Sequence, residues 1–82
     1  MNTATEQVYE KNIDTRGSFC PGPLIELIRG LKCIPVGGTV VVLTSDFESE
    51  KDIPFWVRKA GHRLLESRSE HNATRFVVCK LH

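Results

Sequence analysis

The sequence predicts an α/β (α+β) fold, a two-layer sandwich with two helices on one face of a four-stranded mixed sheet, in the order β-α-β-α-β-β. Three observations carry this. Leu24, Leu27, Ile28 and Leu31 recur at helical spacing, Ile53, Trp56, Val57 and Ala60 repeat that spacing, and a β-branched run from Thr39 to Ser45 separates them. Apolar residues at i, i+3, i+4 and i+7 share one helix face. A continuous β-branched run suits a strand buried on both faces or nearly so.

Residues 1–7 read as a flexible N-terminus and residues 8–81 as a single domain. Val8-Tyr9 and Lys11-Asn12-Ile13 suggest the first strand, and Arg16-Gly17-Ser18 a turn. The first helix spans Leu24 to Lys32, with Pro35 and Gly37-Gly38 marking its end. The second runs from Ser49 to Ala60, and Gly61 is a ready C-terminal stop. Pro54 is expected in or near the first turn, because deeper placement removes a backbone hydrogen bond. Trp56 fits the apolar face of this helix and reads as core. Strands follow at His62 to Glu66 and Arg75 to Leu81, joined through His71-Asn72-Ala73.

Composition narrows the function classes. At 82 residues the chain can build one thin core, which leaves little room for a deep buried active site. With 40% hydrophobic and 26% charged residues, it is no disordered tail or collagen-like repeat. Residues 1–41 hold four charges of each sign, and residues 42–82 hold seven basic and six acidic. Neither half is a basic arm, so direct nucleic-acid binding is not expected. Three cysteines cannot all pair, the polar start from Met1 to Gln7 has no export stretch, and Val40 to Leu43 is far too short to span a membrane. These features predict a soluble cytoplasmic protein without membrane insertion.

The chemistry concentrates at Phe19-Cys20-Pro21-Gly22-Pro23. Proline is tolerated at a helix start, so Pro21 is expected as the first helical residue and Cys20 as the N-cap. Pro23 has no N–H, which leaves Gly22 as the donor facing the sulfur. That N–H, the helix dipole and Arg16 four residues earlier all favour thiolate over thiol. Gly22 also leaves one side of the sulfur open to a partner. With Pro23 in place of a second cysteine there is no Cys-x-x-Cys pair and no resolving thiol at that spacing. A lone activated thiolate suits carrying a group and passing it on. The competing account makes Cys20 a small residue that happens to precede a helix, as cysteine is often buried and inert.

The remaining candidates have blander readings. Cys33 falls at the far end of the first helix, roughly 20 Å from Cys20 at ~1.5 Å per residue, too far for a disulfide. Cys79 alternates with Phe76 and Val78 and so faces away from the side they cover. His62, His71 and His82 form no metal-ligand spacing with the cysteines, so no metal site and no cofactor are expected. Asp46, Glu48, Glu50 and Asp52 precede or open a helix, where carboxylates favour the dipole.

The run Asp14-Thr15-Arg16-Gly17-Ser18-Phe19-Cys20-Pro21-Gly22-Pro23 resembles the Asp-x-x-Gly-x-x-Cys-Pro-x-Pro signature of the TusA (SirA-like) sulfur-carrier family. The resemblance continues at Gly37-Gly38-Thr39, Ser45-Asp46, Asp52-Ile53-Pro54 with Trp56, and Gly61-His62. It implies a two-layer sandwich in which Cys20 accepts sulfane sulfur as a persulfide and relays it to another protein. It also implies a sulfur-site role for Arg16, Pro21, Gly22 and Pro23, loop fixing by Asp14, and partner docking near Asp46. The implied partners are a cysteine desulfurase or rhodanese-like donor and a DsrE/TusD-like acceptor, with the carrier itself a monomer. Ser18 stands where the family usually has Leu, and Gly22 where it often has a larger residue. Relays for tRNA thiolation, sulfur oxidation and cofactor sulfuration all use this scaffold. A second class of function stays open: a non-catalytic interaction or regulatory module with Cys20 as a structural cap.

Overall fold

In the computed structural model, which describes residues 9–82, the first strand β1 is Glu10–Asp14 and leads into helix α1, Gly22–Lys32. Strand β2, Thr39–Thr44, and helix α2, Phe47–Ala60, follow; then strands β3, Arg63–Glu70, and β4, Ala73–Cys79. Residues 1–7, expected to be flexible, and Val8 lie outside the described residues. The sheet order is β1-β2-β4-β3, with β1 parallel to β2 and the other pairs antiparallel, so the sheet is mixed as expected. A parallel pair needs a long crossover, and α1 supplies it.

The register sorts the residues by face. Val40 stands beside Val78 and Val42 beside Phe76, and all four join Leu27, Leu31, Ile34, Ile53 and Val57 in the core. Ile13, Leu24, Trp56 and Leu64 are partly buried against that cluster. On the other face of the sheet Val41 is buried between Asn12 and Val77, while Leu43, Val77 and Cys79 are half-buried. Helix α1 lies tight on the sheet: a Cβ on Gly30 would come within 2.8 Å of Ile13 Cδ1.

Several boundaries differ from the sequence reading. Helix α1 starts at Gly22 with Pro21 in the N-cap position, so Cys20 lies one residue before the cap, neither cap nor neighbour of a helical Pro21. Helix α2 starts at Phe47 because the Asp46 side chain caps it through Ser49 N. That puts Pro54 inside the helix, not in its first turn. An interior proline costs about 3 kcal/mol. Complete burial of Ile53 and near-complete burial of Val57 on either side offset it, at about 1.5–3 kcal/mol each. Gly61 ends the helix with φ 83°, a left-handed value that glycine adopts at little cost.

The hairpin strands run further than expected, to a tighter turn. His71 and Asn72 take φ 41° and 64°, making a two-residue turn, and Ala73 belongs to β4 rather than to the connection. The outer half of β3, Ser67 to Glu70, is polar and shows no alternation that a sequence reading could detect. Among the described residues no helix is long and apolar enough to cross a membrane.

Candidate functional site

Because β1 and β2 are parallel neighbours, their C-terminal ends emerge together, and the loops leading to α1 and α2 meet there. Crevices at the carboxyl ends of parallel strands are where open α/β sheets place their ligands. Hydrogen bonds tie the two loops: Thr15 N donates to Leu43 O at 2.9 Å, and Gly17 N to Ser45 Oγ at 3.0 Å. The third tie reaches the cysteine itself. Cys20 N donates to Asp46 Oδ2 at 2.9 Å, and the same oxygen accepts from Ser49 N at 3.0 Å and Ser49 Oγ at 2.8 Å. Asp46 therefore starts α2 and fixes the Cys20 backbone with one atom. Those donors, Ser49 Oγ first, hold its carboxyl below the usual carboxylate range against the opposing effect of burial.

The Cys20 thiol points towards α2. Its Sγ donates to Asp52 Oδ2 at 3.1 Å. That bond, then burial, then the charges of Asp52, Asp46 and Glu48 push the Cys20 thiol up to about 11. The thiolate expected from the sequence is thus not the resting form, and the physical reason is the choice of neighbour. Gly22 N, the donor assigned to the sulfur, instead bonds Phe19 O at 2.7 Å. Arg16 is paired with Asp14, Nη2 to Oδ2 at 2.6 Å and Nε to Oδ1 at 2.9 Å, which holds the Asp14 carboxyl near 2. Neither positive group meets the sulfur; a carboxylate does.

Around the thiol, Pro23 is buried and the Cys20–Pro21 peptide is cis. A Cβ at Gly22 would meet Ser18 Cβ at 3.6 Å, so that position faces its own loop. Phe19, next to the cysteine, is 76% exposed, and Phe47, next to Asp46, is 69% exposed. Cysteine is half-buried at position 20, so the site is shallow and flanked by unburied aromatic surface.

Asp52 is the neighbour of the Cys20 thiol that sequence reasoning missed. The acidic run suggests a helix-dipole role for it, but it lies six residues beyond the Asp46 cap, past the reach of that effect. An acidic residue there asks for a separate explanation. The other candidates sit apart from this constellation. Cys33 is exposed at the C-cap of α1, and Cys79 is half-buried with Sγ 3.9 Å from Gly37 O. His71 is in the hairpin turn, while the rings of His62 and His82 stack at 4.6 Å at the far end of α2. A cavity of about 320 Å³ there, between Val57, His62, Leu64 and Leu81, includes no residue of the Cys20 loop. No group of three potential metal ligands occurs among the described residues.

A single shallow cysteine, held at the carboxyl ends of parallel strands in a two-layer sandwich, defines a class of small thiol proteins. The comparisons narrow the class. The family profile of sulfurtransferase TusA matches residues 11–80, and the chain belongs to that family. It is 56% identical over 69 residues to a candidate sulfur carrier protein of Archaeoglobus fulgidus, covering 84% of this chain and 94% of that protein. It is 28% identical over 71 residues to the sulfur carrier protein TusA of Pseudomonas syringae pv. syringae, covering 87% and 84% respectively. The crystal structure of a SirA-like protein from Desulfitobacterium hafniense shares the fold, with TM-score 0.76, 22% identity and coverage of 87% and 97%.

Proposed function

We propose that this chain is a sulfur carrier, acting as one domain over residues 8–81, in which Cys20 takes up sulfane sulfur and hands it on. Cys20 attacks the terminal sulfur of a donor persulfide R–S–SH. The new bond forms at Cys20 Sγ, the donor's S–S bond breaks, and R–S⁻ leaves to be protonated. The products are Cys20–S–SH and R–SH. The sulfane sulfur keeps its oxidation level, so no outside oxidant or reductant is needed. A downstream cysteine then repeats the attack on Cys20–S–SH.

The observation that supports this reading is the fixed yet shallow placement of Cys20: its backbone is tied by Asp46 while exposed Phe19 and Phe47 flank it. Two partners must reach the same sulfur in turn, and only a surface site permits that. Pro21 and Pro23 stiffen the loop, and Arg16, locked on Asp14, shapes its start. A cysteine desulfurase or rhodanese-like protein as donor and a DsrE/TusD-like protein as acceptor fit this chemistry. So do relays to tRNA thiolation, sulfur oxidation or cofactor sulfuration, in a cytoplasmic setting. The rival account of Cys20 as a structural helix cap lacks its bond, since no side chain caps α1.

Intact mass spectrometry tests the reading. The protein is incubated with a cysteine desulfurase plus cysteine and, separately, with thiosulfate or polysulfide. A reductant-sensitive gain of one sulfur atom, lost in a folded Cys20→Ser variant, is expected. No adduct from any donor overturns it.

A further inference from the structure

The surroundings of Cys20 are acidic and uncompensated. Asp52 accepts from the thiol, Asp46 accepts from the Cys20 backbone, and Glu48 is exposed on the first turn of α2. None of these three carboxylates forms an ion pair among the described residues. The nearby cations are occupied otherwise: Arg16 is committed to Asp14, and Lys51 Nζ lies 4.9 Å from the centroid of the Phe47 ring. For a protein whose cysteine must act as a nucleophile this arrangement is contrary, because carboxylates at hydrogen-bond distance favour the neutral thiol. A site meant to react alone would place a cation there.

Resting on the carrier reading, we propose that Asp52, with Glu48 and Asp46 behind it, keeps the unloaded carrier as an inert thiol. A partner that presents lysine or arginine side chains to this acidic rim releases the thiolate. On docking, the cations offset the carboxylate charge, the thiol proton passes to water, and Sγ attacks the donor persulfide. The leaving R–S⁻ takes a proton back, so the overall exchange is neutral. The same surface defines the partner's shape: a basic centre to face Asp52 and Glu48, bordered by apolar surface that covers Phe19 and Phe47. Charge complementarity carries specificity and on-rate in such contacts. Stray electrophiles and disulfides in the cell meet the thiol form, which reacts slowly. The positive pressure to react arrives only with the right partner.

The test reads Cys20 without any sulfur donor. Iodoacetamide alkylation is followed by mass against pH, in a background carrying Cys33→Ser and Cys79→Ser. Thiolate fraction changes tenfold per pKa unit when pH lies well below the midpoint. Asp52→Asn is expected to shift the alkylation profile down by about one unit and to raise the rate at pH 7.5 about tenfold. Asp52→Glu, which restores a carboxylate, is expected to move the profile back towards the parent, and this separates gating from general loosening of the loop. A hexa-arginine peptide at low salt is expected to accelerate alkylation of the parent protein several-fold. Half-molar salt should abolish that acceleration, and the Glu48→Gln/Asp52→Asn double variant should not show it. Superimposable profiles for the parent and Asp52→Asn, or no response of the parent to the peptide, overturn the gate. Failure of sulfur loading with the alkylation shift intact overturns the carrier reading instead.

Discussion

Helix α2 begins on a carboxylate that accepts from Ser49 N and Ser49 Oγ, whereas α1 begins on Pro21 with no side-chain bond to its first turn. The two starts lie side by side because their strands are parallel neighbours. The well-capped helix lends its cap to the other: Asp46 Oδ2 also accepts from Cys20 N. The difference shows how a small domain holds a reactive residue at an exposed helix entry. The loop before α1 carries the sulfur and leaves the start of its own helix open, while the stability of that loop is supplied from α2.

The comparison breaks if the helices differ in their anchorage rather than in their starts. Leu27 on α1 and Ile53 on α2 are both fully buried, so Leu27→Ala and Ile53→Ala are expected to cost about 2–5 kcal/mol each in urea unfolding. A large gap between them would place the asymmetry in the core. Gly30→Ala comes next, at about 1 kcal/mol or less, because Ile13 Cδ1 must swing aside for its Cβ while alanine regains helix propensity at that position.

Asp46→Ala sharpens the comparison directly. Amide hydrogen exchange is expected to lose protection at both Ser49 and Cys20, in two different helices' entries, while Cys20→Ser leaves Ser49 protected. The pH dependence has a definite sign. Asp46 is held below the ordinary carboxylate range in the folded state, so its contribution is full above the unfolded-state value and is lost as pH falls through the folded one. The urea midpoint is therefore expected to fall more steeply below pH 4 for the parent than for Asp46→Asn. The smallest effect is expected from Gly22→Ala. Its Cβ would make ordinary contact with Ser18 at 3.6 Å, and thermal melting should register a change within about 0.5 kcal/mol.

Much of this fold was legible in the sequence, because the core-facing residues of α1, β2 and α2 keep clean periodicities. The misses share a cause: they lie where polar residues decide. The start of α2 at Phe47 depends on Asp46 bonding Ser49, which hydrophobic spacing does not register. The tip of the β3–β4 hairpin depends on two left-handed residues, His71 and Asn72. At the site, Cys20 and its loop stood out from the prolines around it. Its protonation did not, because local reasoning saw Gly22 N and Arg16, whereas Asp52 arrives from 32 positions away. Sequence neighbours suggested a cationic setting, and the tertiary neighbour is anionic.

The sheet order has a consequence for how the molecule assembles. The β3–β4 hairpin joins residues adjacent in the chain, whereas β1 reaches β2 only across the α1 crossover. Contacts between nearby residues close at lower entropic cost and form earlier. The hairpin is expected to precede the β1–β2 pairing, so Cys20 meets Asp52 only after the hairpin has closed. Until that closure a newly made chain carries an ordinary thiol, and a pulse of alkylating reagent during refolding should label Cys20 faster before the crossover docks than after it.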